Sequence, residues 1–125
     1  MRKSPEVRNL VCDTIVNLVD QGTLYASGRL NIYNTDSTLI TFLEFSNPAF
    51  RDATDGTSVT NFIYDATSFM DGTAVFYEIV NRDATMIWDG TVTDRSGNGD
   101  VKFDTLIFPK DTTVSLLSTV YIVPE

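Results

Sequence analysis

Thr73-Ala74-Val75-Phe76-Tyr77-Glu78-Ile79-Val80-Asn81 is the stretch that decides the fold. It is dense in β-branched and aromatic residues, the types that suit a pleated, half-buried surface. Side chains alternate along a strand, so Val75, Tyr77 and Ile79 share one face while Ala74, Phe76, Glu78 and Val80 share the other. Asn81-Arg82-Asp83-Ala84 follows as a hairpin loop of about four residues, and Thr85 to Val92 returns with Trp88 in mid-strand.

The same period of two extends outward. Arg29-Leu30-Asn31-Ile32-Tyr33 alternates, then Asn34-Thr35-Asp36-Ser37 forms a turn cluster. Leu39 to Phe45 is the next expected strand, with Leu39, Thr41, Leu43 and Phe45 on one face. Ser46-Asn47-Pro48 ends it, because proline cannot donate to a ladder, and Phe50 is expected to tuck under the sheet. Val59 to Tyr64, Val101 to Phe108 and Val114 to Val123 read as further strands, the last two stopped by Pro109 and Pro124. About seven strands separated by polar turns are the mark of an antiparallel sandwich of Ig-like or jelly-roll-like type.

Only the N-terminus departs from this period. Val7, Leu10, Val11, Ile15, Leu18 and Val19 recur at helical spacing, with Arg8, Asp13, Asn17 and Asp20 between them. Ser4 suits the cap, Pro5 the first helical position, and Glu6 the positive end of the dipole. Gly22 is the expected stop. The fold class is therefore mainly β, one domain over residues 1–125, with a helix at 4–21 and a sandwich at 23–124. No second domain and no internal repeat is visible.

Composition narrows the function. The chain has 125 residues and an apolar fraction of 42%, ample for a core without a metal or disulfide. Its net charge of -8 repels phosphate backbones and anionic bilayers, so neither nucleic acid nor membrane is an expected partner. The charge maintains solubility or meets a basic partner surface or cation. No apolar run is long enough to span a bilayer, and Met1-Arg2-Lys3 followed by Glu6, Asp13 and Asp20 does not read as a secretion signal. Synthesis in a reducing cytoplasm is the expectation.

The chain has one cysteine, Cys12, and no histidine. Common serine, cysteine and zinc machineries are thereby missing from the sequence. Cys12 is expected at the edge of the apolar helix face, without a base to activate it. The acidic residues Asp36, Asp55, Asp71, Asp83 and Asp94 sit in turn positions, where aspartate bonds to local backbone. A carboxylate-dependent glycosidase has no motif beyond these. No catalytic residue and no cofactor is expected.

Two features have competing readings. Asp94-Arg95-Ser96-Gly97-Asn98-Gly99-Asp100 places oxygen side chains at positions one, three and five and glycine at six, like the first half of an EF-hand loop. Its twelfth position is Thr105, and Arg95 adds positive charge, so a hairpin or inter-sheet turn is expected instead of a metal site. Trp88 and Tyr77 read as core, with a sugar-stacking platform beside loop carboxylates or a buried interface anchor as alternatives.

The order of these blocks resembles small virion proteins of tailed bacteriophages and prophages. The helix boundary Val19-Asp20-Gln21-Gly22 is followed by Gly28-Arg29-Leu30-Asn31-Ile32-Tyr33, then by Leu39 through Phe50 with Phe45-Ser46-Asn47-Pro48-Ala49-Phe50 as the most specific element. Gly72-Thr73-Ala74-Val75-Phe76-Tyr77 and Asp89-Gly90-Thr91-Val92 complete the pattern, which runs from about Leu10 to Pro124. Ala84 departs from it, where a glycine is usual, and the C-terminal half matches less. The resemblance implies a phage structural component of the head and connector region and supplies no catalytic residue. It implies a capsid decoration or cement protein in the virion that binds the major capsid protein or other virion proteins, as a homo-oligomer such as a trimer. A neck, tail or fibre-attachment component and a host-glycan binding module are the alternatives. Val7, Leu10, Val11, Tyr77 and Trp88 are the expected interface residues.

Overall fold

The computed structural model describes residues 2–116 and 118–123, so the expected stop at Pro124 lies outside the described residues. It is mainly β with one N-terminal helix. The helix α1 spans Pro5–Asn17 and runs into a 3₁₀ turn, Leu18–Asp20. The Ser4 hydroxyl accepts the Val7 N–H at 3.2 Å, with Pro5 in the first turn, as the capping signals require. The regular helix thus stops short of the expected 4–21. Gly22 lies beyond the 3₁₀ turn with φ of 122°.

Cys12, Val16 and Val19 are fully buried. Of the polar positions along the helical segment, Asn9, Asp13 and Asp20 are half-buried and turn to a neighbouring loop. Asn9 Oδ1 accepts the Gly56 N–H at 2.7 Å, Asp13 Oδ1 the Ala53 N–H at 2.8 Å, and Asp20 Oδ1 the Ala49 N–H at 3.0 Å. One edge of the helical segment therefore satisfies the backbone of the loop 49–56, which forms no regular ladder of its own.

The strands are β1 Arg29–Tyr33, β2 Leu39–Glu44, β3 Thr57–Val59, β4 Ala66–Thr67, β5 Gly72–Thr73, β6 Phe76–Val80, β7 Met86–Asp94, β8 Val101–Phe103, β9 Ile107–Phe108, β10 Thr113–Val114 and β11 Val120–Ile122. Five of them form one sheet in the order β2-β1-β6-β7-β8, curled into a half-barrel. The remaining six pair as three two-stranded ladders, β10-β4, β11-β3 and β5-β9. Leu30, Ile32, Leu43, Tyr77 and Ile79 from the sheet join Ile63, Phe108, Val114 and Val123 in one buried cluster with the helix residues.

Several expected strands are interrupted. The decisive stretch breaks after Thr73: Ala74 N–H bonds to Leu106 O at 2.7 Å, and Val75 N–H to Tyr33 O at 2.9 Å. Ala74 is buried and Val75 exposed, so the strict alternation expected from Thr73 onward begins only at Phe76. The expected strands 101–108 and 114–123 each divide into two short segments, and 59–64 keeps only its first residue, Val59, in a ladder. Phe45 leaves β2 and bridges Ile63. Among the described residues there are thus eleven short segments where about seven longer strands are expected. Pairing is also not wholly antiparallel: β8 runs parallel to β7, with Val92 opposite Val101. The loop Asp94 to Asp100 is accordingly no hairpin but doubles the chain back alongside its own path.

Candidate docking strip and aromatic cleft

The free edge of β2 is covered by the irregular segment that follows β3. Ser46 N–H donates to Phe62 O at 3.0 Å, Tyr64 N–H to Glu44 O at 2.9 Å, and Phe69 N–H to Ile40 O at 2.8 Å, while the Thr41 hydroxyl donates to Thr67 O at 3.0 Å. These bonds protect an edge that would otherwise invite pairing. They also fix where the segment's side chains go. Ile63 is buried, whereas Phe62, Tyr64 and Phe69 are 63%, 52% and 48% exposed.

Phe62 and Tyr64 meet edge to face at 4.8 Å, and Phe69 meets Phe42 at 5.6 Å. A shallow cleft of about 310 Å³ runs between Phe42, Tyr64 and Phe69, with Glu44 and Asp65 at its rim. Beside it the Arg29 guanidinium lies 3.9 Å from the Tyr25 ring and 4.2 Å from the Phe42 ring, with Glu44 at 3.7 Å. Rings and arginine side by side are what the centres of protein interfaces are enriched in.

The second feature is a cleft of about 280 Å³ lined by Tyr77, Trp88, Asp89, Asp100, Val120, Tyr121 and Ile122. Cross-strand pairing builds it. Tyr77 lies opposite Gly90 and Ile79 opposite Trp88. A Cβ on Gly90 would fall 2.8 Å from the Tyr77 hydroxyl oxygen and 2.7 Å from Asp100 Oδ2, so the glycine makes room for the Tyr77–Asp100 hydrogen bond of 3.2 Å. Burial, then the charge of Asp100 and the bond to it, push the Tyr77 phenol well above its ordinary range. It therefore acts as a fixed donor and not as a base. Trp88 packs between Phe50 at 5.7 Å and Tyr121 at 4.9 Å. Asp89 and Asp100 are exposed at the mouth.

The structure separates the expected interface residues. Val7 and Leu10 are exposed, Leu10 by 67%, while Val11 is half-buried against the core. Trp88 is half-buried in the cleft, and Tyr77 is only 2% exposed, so its ring offers no surface for contact. The helix residues and Trp88 do not share a pocket. Phe62, Tyr64 and Phe69 were not among the expected residues. Their signal is the alternation Phe62-Ile63-Tyr64, which puts the two aromatics opposite the buried isoleucine.

The EF-hand-like loop uses its oxygens internally. Asp94 Oδ1 accepts from the Ser96 hydroxyl at 2.8 Å and the Ser96 N–H at 3.1 Å, which holds the carboxyl below its usual range. Thr93 Oγ1 accepts the Gly99 N–H, and Arg95 pairs with Asp104. Among the described residues no three acidic or cysteine side chains converge as a metal site would need. Among the same residues no helix is long and apolar enough to cross a membrane. Burial and the neighbouring Asp13 raise the Cys12 thiol, so its environment does not favour the reactive thiolate.

No protein-family model matches the chain, and no curated protein or solved structure matches it.

Proposed function

We propose that this chain is a non-enzymatic docking domain whose principal contact is the aromatic strip Phe62, Tyr64 and Phe69. The carrying observation is the exposure of these three rings along a hydrogen-bonded sheet edge. Exposing them to water is costly in a free chain and rewarding once a partner covers them, at about 1.5–3 kcal/mol per fully buried ring. The edge bonds hold the strip's backbone before any partner arrives, which reduces the ordering cost of association.

In its specific form the proposal is a bacteriophage virion structural protein, a decoration or cement protein on the capsid. The support for this form is the sequence pattern centred on Phe45 to Phe50. In the same reading, the half-barrel and the ladders that close its core are a broken version of the two-layer sandwich. Each copy would bridge neighbouring capsid subunits and oppose their separation by mass action. Such a contact buries more than ~1,000 Å², so Val7 and Leu10 on the exposed helix face would add to the strip.

The test is co-sedimentation of the purified chain with particles of the encoding phage. Wild type is expected in the pellet, and a Phe62→Ser, Tyr64→Ser, Phe69→Ser variant with unchanged circular dichroism in the supernatant. Equal pelleting of both rejects the strip as the contact. A host-glycan module is the second reading, favoured by Trp88 beside two carboxylates in one cleft.

A further inference from the structure

We infer that the cleft formed by Trp88, Tyr121, Asp89 and Asp100 receives an arginine side chain from the partner protein. The inference rests on the docking reading and names the chemistry of the partner at a second contact.

This protein already holds one arginine with aromatic rings and a carboxylate: Arg29 between Tyr25 and Phe42, with Glu44 at 3.7 Å. The cleft repeats that set of groups without the cation. Trp88 and Tyr121 supply rings, Asp89 and Asp100 supply charge, and no lysine or arginine lines it. A guanidinium is suited to this combination, because it stacks on ring faces and bonds carboxylates through a planar fork.

The chain carries a net charge of -8, so a basic segment is the complementary partner. Arg95 and Lys102 line an adjoining pocket that shares Asp100 with the cleft, and Arg95 is paired with Asp104. Asp89 and Asp100 are exposed and thus open to a group from outside. Tyr77 fixes one oxygen of Asp100, which orients that carboxylate before a ligand arrives.

A space of about 280 Å³ accommodates a guanidinium and part of its stem, not a folded element. A side chain reaching out from the partner is therefore the occupant, while the strip at Phe62 to Phe69 supplies area.

Trp88 is the sole tryptophan of the chain, so its emission reports on the cleft alone. The experiment titrates the full-length protein with the peptide acetyl-Gly-Arg-Gly-amide at constant ionic strength. Matched titrations use the peptide with citrulline, which has the same shape and no charge, and chitotriose as a sugar. A saturable change with the arginine peptide is expected, at least about tenfold weaker with citrulline and in Asp89→Asn/Asp100→Asn. Asp89→Asn alone, at an exposed position, serves if the double variant loses its thermal transition. The inference is overturned by no saturable response to arginine, by an equal response to citrulline, by indifference to the aspartate changes, or by saturation with chitotriose instead. Particle co-sedimentation of the same variants separates the two ideas. Particle binding without an arginine response removes this inference only, and an arginine response without particle binding removes the docking reading only.

Discussion

Two hairpin loops in this protein are nearly the same object in different surroundings. Asn34-Thr35-Asp36-Ser37-Thr38 joins β1 to β2, and Asn81-Arg82-Asp83-Ala84-Thr85 joins β6 to β7. In the first, Asn34 Oδ1 accepts the Asp36 N–H at 2.9 Å and the Thr38 N–H at 3.0 Å. In the second, Asn81 Oδ1 accepts the Asp83 N–H at 2.9 Å and the Thr85 N–H at 3.0 Å. Ser37 and Ala84 both take positive φ, 61° and 63°. The surroundings differ. The hydrogen bonds described for the first loop stay within it, and Thr35 to Thr38 are exposed. The second is stitched to the chain leaving the helix: Asp83 Oδ1 accepts from Thr23 N–H at 2.9 Å and Leu24 N–H at 3.0 Å, and Arg82 exchanges backbone bonds of 2.9 Å with Gln21 and Tyr25. The lesson is that the asparagine and the residue before threonine set the loop, whereas its tertiary use depends on what the remaining two positions can reach.

The largest expected effect comes from breaking the stitched side. Gly22 has φ of 122°, and a Cβ there would lie 2.9 Å from the Asp83 backbone nitrogen. Gly22→Ala is therefore expected to cost about 3 kcal/mol, measured by urea unfolding; an unchanged midpoint would mean that the linker is not held against the hairpin. Next, Asp83→Ala should lower the midpoint clearly, because two backbone N–H groups lose their acceptor. The matched Asp36→Ala should stay within about 0.5 kcal/mol of wild type, and equal losses in both would erase the contrast. Smaller still, Ala84→Gly and Ser37→Gly should each stabilise by about 0.5–1 kcal/mol, the relief of a left-handed residue less the entropy of glycine. Similar gains in both loops would show that this cost is local.

The last effect is one of pH. The Thr23 and Leu24 N–H bonds hold the Asp83 carboxyl below its usual range. A lowered folded pKa gives stability that is present above the ordinary carboxylate pKa and is lost as pH falls through the lowered one. Asp83→Asn keeps an acceptor oxygen but does not titrate. Its thermal midpoint should fall less steeply on acidification than that of wild type, and parallel curves would contradict the assignment.

The helix, its cap and the β1, β6 and β7 strands were legible because each carries its own period or turn chemistry. Leu30 and Ile32 alternate inward as their spacing requires. The C-terminal half was not legible in the same way. Ile107 and Phe108 look like the end of one strand with Val101, but residues 104–106 divide them, and the two halves pair with different partners, β7 and β5. Local pattern records that a residue prefers extended backbone, not which strand it meets. The parallel return of β8 was hidden for that reason, since Asp94 to Asp100 has turn residues suited to a hairpin. The same holds for the sites. Trp88 could be picked out alone, whereas its cleft needs Asp100 and Tyr121, which only the tertiary fold brings near. The strip at Phe62 to Phe69 depends on β2 leaving an edge for it to cover.

Counting and locating this chain in purified virions of a phage whose genome carries its sequence tests the proposed role most directly. Mass spectrometry with particle imaging should find hundreds of copies per particle, with density over the capsid lattice and the Phe62, Tyr64 and Phe69 rings turned toward capsid subunits. Particles that lack the chain would contradict the account, as would copies whose aromatic strip faces solvent.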